Sequence, residues 1–290
     1  MINLVECILQ SVGYIEDHLH EPITVSDMAD AAGYSIFHFI RCFNQIVQHT
    51  PYDYLMRRRL TKAAADLVSS NRRIIDVAQE YCIGSQESFT RLFRRMFDQT
   101  PGQCRTAGGV AWWKTFQEKT AQDLYFSAQL DPINIVLTEM EPIRLTGLMS
   151  RVEAGLNNRD DISAVLGADI SKMIPRREDS QQFEIWSGIY PEQTDGYCFV
   201  GYKMSEEQNS SGMMVEQTIH GGRAVEVGIN RGEEVSAARF LLSSWILNRE
   251  LQPSPPFCLI IRKSSFANLN GKESLLIRVE EVEEKRNTHE

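Results

Sequence analysis

The feature that most constrains this chain is an internal repeat in its first third. Residues 35–51, SIFHFIRCFNQIVQHTP, overlay 85–101, SQESFTRLFRRMFDQTP, at a constant offset of 50. The identities are Ser35/Ser85, Phe39/Phe89, Arg41/Arg91, Phe43/Phe93, Thr50/Thr100 and Pro51/Pro101. In each copy a serine occupies an N-cap position, apolar residues follow at helical spacing, and the pattern stops before Thr-Pro. A shorter helical stretch precedes each copy, VSDMADAAGY before the first and IIDVAQEYCIG before the second. Ala29 and Ala78 are the small residues that let those short helices pack closely. Short helix, tight turn, longer helix, stated twice, predicts two helix-turn-helix units.

Pro51 opens PYDYLMRRRLTKAAADLVSS, predicted as a long connecting helix that ends near Ser70, with Leu55, Leu60, Ala63, Ala64 and Leu67 as its buried stripe. A helix of about 18 residues spans roughly 27 Å. That is the order of the ~34 Å DNA turn between successive major grooves. One chain is therefore expected to address two grooves as a monomer.

Charge supports this only once it is divided along the chain. The net charge of −9 argues against a nucleic-acid partner. Yet residues 35–107 hold eleven basic residues, ten of them Arg, against six acidic ones, net +5. Residues 1–34 have no Lys or Arg and six acids, and residues 108–290 are net −8. A local basic stripe is what a phosphate-binding face requires, and Arg suits bidentate contacts.

These motifs together resemble the DNA-binding domain of the AraC/XylS family of bacterial transcription regulators, in its N-terminally placed form. The residues that carry the resemblance are A(29)xxxGYS(35)xxxFxRxF(43), TP(51)xxYLxRRRL(60), IxxVA(78) and SxxSFTRLF(93)…TP(101)xxxR(105), which cover the whole of 1–107. Four positions depart from the pattern: Gln48, Asp98 and Cys82 stand where the family usually has glycine, and Cys104 stands where it often has Tyr. If those glycines adopt positive φ, the substitutes strain their turns.

The resemblance assigns Phe37, Ile40 and Arg41 of the first recognition helix, and Gln86, Glu87, Thr90 and Arg91 of the second, to base contacts. Exposed Phe and Ile suit thymine methyls, Arg takes guanine O6/N7, Gln reads adenine, and Glu accepts from cytosine N4. Arg41 could instead hold a phosphate or an ion pair, and Glu87 also sits in a first helical turn, where an acid is favoured anyway. Asn44, Arg57, Arg58, Arg94, Arg95 and Arg105 are assigned to phosphates, as is Arg59. The arginines have an alternative in Asp or Glu within the domain, such as Asp66 and Asp76.

Composition shifts at Gly108-Gly109. Residues 108–131 read as a linker with Trp112, Trp113 and Phe116 packing on a domain, and 132–285 as a second domain. Its strands are INIVLTEM, IRLTGLMSRV, FEIWSGIYP, GYCFVGYKM, MMVEQTIHGG, RAVEVGIN, PFCLIIRK and SLLIRVEEVEE, interrupted by helices in DDISAVLGADISKMI and EEVSAARFLLSSWILNRE. Strand-strand-helix-strand-strand, stated twice, implies an α+β domain built by duplication. The chain is thus expected to be multi-domain: an all-α tandem helix-turn-helix domain followed by that α+β duplication.

The second part resembles the GyrI-like, SOUL-related ligand-binding domain through EMEPIRLTGL, IWSGIYP, the IHGGRAVEVGI hairpin, SSWIL and PPFCLIIR. The resemblance implies an aromatic-lined cleft with a buried Glu facing lipophilic or cationic small-molecule effectors. Trp186, Tyr190, Tyr197, Trp245 and Phe257 are the aromatics near the matching segments, and such a lining holds cations. Cys258 stands at the position of the family's Glu. Glu184 or Glu226 could replace it where strand alternation turns them inward. The same aromatics would equally build a closed core.

Other chemistries find little footing. The six cysteines lie at least 22 residues apart with no CxxC, which suits neither zinc nor a disulfide framework. No metal and no cofactor are expected, and GxSxG, P-loop, HExxH and Rossmann fingerprints are absent. Cys258 as a hydrolase nucleophile would need a base, and this part of the chain has only His220 and His289. No stretch approaches the ~18 apolar residues of a membrane span, and the N-terminus lacks a basic signal region. The expectation is a cytoplasmic, non-enzymatic activator. It binds double-stranded DNA and RNA polymerase and has an effector domain. The alternatives are a hydrolase or a pure protein-interaction and sequestration module.

Overall fold

The computed structural model describes residues 4–129, 134–153, 159–173, 181–187, 195–203, 214–230, 232–255, 259–263 and 273–282. The chain divides into two compact units, residues 1–130 with 242–244, and 131–241 with 245–290.

The first unit is helical: α1 (Leu4–Asp17), α2 (Val25–Ala31), α3 (Ile36–Val47), α4 (Pro51–Ser69), α5 (Ile74–Glu80), α6 (Gln86–Phe97), α7 (Pro101–Ala107) and α8 (Ala121–Gln129). Side-chain caps start α2, α4, α6 and α7. Thr24 and Thr100 form capping boxes with Asp27 and Gln103, and Thr50 accepts from the Asp53 amide just ahead of Pro51. Ser85 caps α6 through the Ser88 amide, whereas Ser35 takes the N-cap position of α3 without a side-chain bond.

Two cores flank α4. One gathers Ile8, Val12 and Ile15 with Met28, Phe39, Phe43, Tyr54 and Leu55. The other gathers Leu60, Ala63, Ala64 and Leu67 with Val77, Ala78, Phe89, Phe93 and Cys104. The stripe expected on α4 is buried throughout. The segment expected as a linker belongs to this unit. Phe116 and Leu124 lie in the first core, the Phe116 amide donates to Thr61 Oγ1 at 2.9 Å, and Ser127 Oγ donates to the Ile46 carbonyl at 2.5 Å. Phe116, Leu124 and Phe126 bury too much apolar surface to remain a tether.

The two helix-turn-helix units are equivalent but not identical. The recognition helices keep the offset of 50, while the shorter helices α2 and α5 are offset by 49, so the second turn carries one more residue. The three departures from glycine all fall where glycine is favoured: Gln48 (φ 62°), Cys82 (φ 54°) and Asp98 (φ 57°). Gln48 and Asp98 close α3 and α6 with equivalent bonds from their amides to the Asn44 and Arg94 carbonyls. The left-handed region costs a non-glycine residue about 1–2 kcal/mol, part of which glycine returns through its greater chain entropy. Gln48→Gly should therefore stabilise the first unit by about 0.5–1 kcal/mol, and Asp98→Gly by less, since Asp tolerates this region better. Urea midpoints at unchanged slope would show it; a destabilised Gln48→Gly would contradict the strained cap.

The second unit contains β1 (Ile135–Met140), β2 (Ile143–Glu153), α9 (Arg159–Met173), β3 (Gln182–Trp186), β4 (Asp195–Lys203), β5 (Val215–Ile219), β6 (Gly222–Ile229), α10 (Glu234–Phe240), β7 (Leu251–Pro253), β8 (Leu259–Lys263) and β9 (Glu273–Glu281). The strand order is β1-β6-β9-β8-β3-β4-β2-β5, with β7 pairing β9. Among the described residues every strand pairing is antiparallel. Exchanging β1 with β5, β2 with β6, β3 with β8 and β4 with β9 reproduces this order read backwards, as a duplication requires. The helices obey the same exchange: α9 packs on β2 and β4, and α10 on β6 and β9.

The stretch IHGGRAVEVGI is not a hairpin. β5 pairs with β2, and β6 pairs with β1, so each half lends its first strand to the other. The two connections cross closely, and a Cβ on Gly221 would stand 2.7 Å from the Met140 carbonyl oxygen. Among the described residues no helix is long and apolar enough to cross a membrane.

Candidate nucleic-acid interface and effector site

The recognition helices α3 and α6 bury one face and expose the other. Phe39, Phe43, Ile46 and Val47 hold α3 against the first core, and Phe89, Phe93 and Phe97 hold α6 against the second. The residues assigned to bases occupy the remaining faces at matched positions. Phe37 is 89% exposed, and Arg41 and Asn44 follow it at one-turn intervals, all exposed, with Ile40 half-buried beside them. Fifty residues on, Glu87, Arg91 and Arg94 are exposed and Thr90 is half-buried. Gln86 and Arg95 are also exposed, and Ile36, the counterpart of Gln86, is 42% exposed. A hydrogen bond with the Ser85 side chain holds the Glu87 carboxyl below its ordinary range, so Glu87 presents an acceptor.

Four of the arginines assigned to phosphates are turned to other work. Arg58 is 2% exposed. Its Nε and Nη2 donate to Glu16 Oε1 and Oε2, each at 2.7 Å, and its Nη1 donates to the Phe116 carbonyl at 2.6 Å. Burial opposes the charge of Arg58, but the Glu16 bonds outweigh it and raise its pKa. Arg57 donates to Asp53 at 2.7 Å. Arg105 donates to the Leu67 and Arg72 carbonyls at 3.0 and 2.5 Å, closing the end of α4. Arg59 is buried as well, on the Leu19 and Glu21 carbonyls. For Arg58 and Arg59 the physical reason is packing: Glu16 of α1 and the Leu19 and Glu21 carbonyls just after that helix meet α4, and a buried acceptor needs a donor. Asp66 and Asp76 take Tyr81 and Arg73 instead.

His49 is buried at the end of α3 beside Phe116. Burial, then the Arg57 charge, lowers its pKa to about 4, so it is neutral near pH 7.

In the second unit, strand alternation divides the residues assigned to the effector. Glu184 and Trp186 share the sheet face on which α9 lies, since the Ser163 hydroxyl of α9 hydrogen-bonds the Glu184 carboxylate. Trp186 Nε1 donates to Glu184 Oε2 at 3.3 Å. Both side chains are nearly fully buried, Glu184 at 2% exposure. Tyr197 and Glu226 lie on the opposite face. Tyr197 packs with Phe183, Ile185 and Phe199, and Glu226 pairs with Arg262 at 3.3 Å. The ring of Trp245 is covered by its own chain's Arg249, whose guanidinium carbon lies 4.0 Å from the centroid. Tyr190, Phe257 and Cys258 lie outside the described residues. Among the described residues no group of His, Cys, Asp and Glu could hold a metal ion.

Two participants escape the sequence reading. Ser163 is one serine on a helix of weak periodicity, with no local signal. His38 could have been found from its i, i+3 spacing to Arg41, whose Nη2 lies 3.1 Å from its Nδ1.

Comparison with known proteins agrees with the first unit and extends past it. The family described as "Helix-turn-helix domain" matches residues 28–107. The transcriptional regulator YbfP of Bacillus subtilis is 41% identical over 101 residues, 35% of this chain and 34% of that protein, so the chain spans about a third of its length. The right origin-binding protein of Escherichia coli is 30% identical over 203 residues, 65% of this chain and 70% of that protein. That match is longer than the first unit and so reaches into the second. The DNA-binding domain of AdpA, solved with a target DNA, covers 34% of this chain and 90% of its own at 27% identity, with a TM-score of 0.34. With an N-terminal tandem helix-turn-helix and a relative matched across both units, the chain belongs to the AraC/XylS family of transcriptional regulators.

Proposed function

We propose that this regulator reads an asymmetric DNA site of two boxes about 10 base pairs apart, as a monomer, and activates transcription with RNA polymerase from the cytoplasm. The carrying observation is the duplicated exposed face: Phe37, Ile40, Arg41 and Asn44 on α3 recur as Glu87, Thr90, Arg91 and Arg94 on α6. The 19 residues of α4 set the two helices apart, a length of roughly 28 Å. In this reading Phe37, Ile40, Arg41, Gln86, Glu87, Thr90 and Arg91 contact bases. Asn44, Arg94 and Arg95 hold phosphates.

Residues 1–130 form the DNA-binding part in this reading, and the second unit is the GyrI-like effector domain. Glu184 and Trp186 are its recognition pair, because a carboxylate buried beside an indole is the arrangement that favours a lipophilic cation. The right origin-binding protein, by its name a DNA binder, supports the first half of this reading.

The test is selection from a random DNA pool with wild-type protein beside Arg41→Ala. A bidentate base contact is worth about 1–3 kcal/mol. The expected result is an asymmetric two-box motif in which the variant loses one base preference in one box. A palindromic motif, or one the variant leaves intact, overturns the reading.

A further inference from the structure

The exposed guanidinium of Arg41 is not alone on its helix. His38, one turn earlier and half-buried, has Nδ1 3.1 Å from Arg41 Nη2. Arginine has donors only, so this bond requires a bare Nδ1 and places the imidazole proton on Nε2. Cys42 Sγ lies beside the ring, 3.4 Å from Nε2 and 3.9 Å from Nδ1. The Tyr34 ring meets the imidazole edge-on at 4.6 Å between centroids. Tyr34 and Cys42 pack the ring, and the Arg41 contact settles which nitrogen accepts.

We propose that His38 is a positioning residue for base recognition. Its neutral imidazole holds the Arg41 guanidinium on the reading face, and its protonation turns an acceptor into a donor and releases Arg41. The proposal rests on the reading that Arg41 contacts a base. Among the described residues the groups facing His38 are Arg41 and Cys42 of α3 and Tyr34 from the turn before it. Cys7 of α1 stands behind them, hydrogen-bonded to Tyr34.

The duplication supplies an internal control. The residue of α6 equivalent to His38 is Ser88, whose hydroxyl turns to Ser85 at 3.4 Å. Arg91 therefore has no imidazole to lean on, and the pH effect belongs to the first box alone.

The experiment uses the full chain and the two-box DNA selected from the pool. One substituted DNA changes the base whose preference Arg41→Ala relaxes, and a second changes a base in the other box. The readout is the ratio of Kd values, substituted over cognate, from pH 8 to pH 5, where histidine changes charge. The ratio cancels effects of the other histidines on overall affinity. In the wild type the first-box ratio is expected to fall about fivefold across this range, the worth of roughly one net hydrogen bond, while the second-box ratio stays level. His38→Asn keeps an acceptor that does not titrate, so its first-box ratio should stay high at every pH. His38→Ala should show the low ratio throughout.

A wild-type first-box ratio that stays level while Arg41→Ala relaxes that base overturns the role of His38 and leaves base reading by Arg41 standing. A His38→Asn ratio that falls in parallel with the wild type does the same. An Arg41→Ala variant that relaxes no base overturns both.

Discussion

Arg58→Ala should destabilise the first unit by about 3–5 kcal/mol, the cost of leaving one member of a buried ion pair alone. The unit's cohesion at this point runs through three chain segments. Glu16 of α1, with 11% side-chain exposure, accepts two bonds from Arg58 of α4 and one at 3.0 Å from the Tyr54 hydroxyl. The third arm of Arg58 ties down the Phe116 carbonyl in the segment leading to α8. Truncation leaves a carboxylate with only Tyr54 for company and strands a buried carbonyl, against a total stability of typically about 5–15 kcal/mol. Urea unfolding of the full chain, followed by the helical signal at 222 nm, should show the helical transition moving to markedly lower denaturant. Replacing both partners, Glu16→Leu with Arg58→Met, should recover most of the loss, because a buried pair is close to neutral against apolar residues of similar size. Arg94→Ala, on the exposed face, should leave unfolding unchanged and weaken DNA binding. If Arg58→Ala instead unfolded like the wild type and bound DNA poorly, Arg58 would be the phosphate ligand its sequence context implies, and the buried pair would be wrong.

That contrast marks how far a sequence speaks for itself. Much of what is governed by neighbours in the chain was legible: the repeat, the cap at Ser85, the start of α4 at Pro51, and the left-handed turns at Gln48, Cys82 and Asp98, because those constraints act over a few residues. The interior role of Arg58 depends on Glu16, which is 42 residues away, and no local pattern announces such a partner. One signal did exist. Arg58 lies three residues after Leu55, inside the stripe that α4 buries, but its charge argued the other way. The second unit repeats the lesson. Two rounds of strand-strand-helix-strand-strand were visible as order and composition. The exchange of first strands between halves was not, because pairing within a half or across halves uses the same alternation. The effector assignment failed in part for the same reason. Alternation fixes which residues of one strand share a face, so Glu184 and Trp186 go together. Which residues of another strand join them depends on register, and register put Tyr197 and Glu226 on the far side.

In the second unit the largest expected effect belongs to Gly147→Ala. Gly147 of β2 is in register with Gly201 of β4, with Val215 of β5 on its other side. Phe199, fully buried on the same face of β4, leans across this glycine pair. A Cβ on Gly147 would stand 2.1 Å from the Val200 carbonyl oxygen, 2.6 Å from Gly201 Cα and 2.8 Å from Phe199 Cζ. The first two are backbone atoms of a strand bonded on both edges, so the clash is relieved only by parting β2 from β4. Overpacking of a tight interior costs about 1–3 kcal/mol where side chains give way; here the backbone must give, and a loss of about 3 kcal/mol or more is expected. Gly228→Ala is the control: it sits in β6 of the same sheet, and a Cβ there meets nothing within 4 Å. It should be neutral or slightly stabilising. Adding Phe199→Ala to Gly147→Ala removes the ring but not the Val200 oxygen, so it should fail to restore the wild-type midpoint. The thermal transition of the sheet, read by Trp186 fluorescence in a background with Trp112, Trp113 and Trp245 replaced by Phe, separates these outcomes. Should Gly147→Ala melt with Gly228→Ala, the close approach of β2 to β4 that sets Gly147 against Gly201 would have to be abandoned.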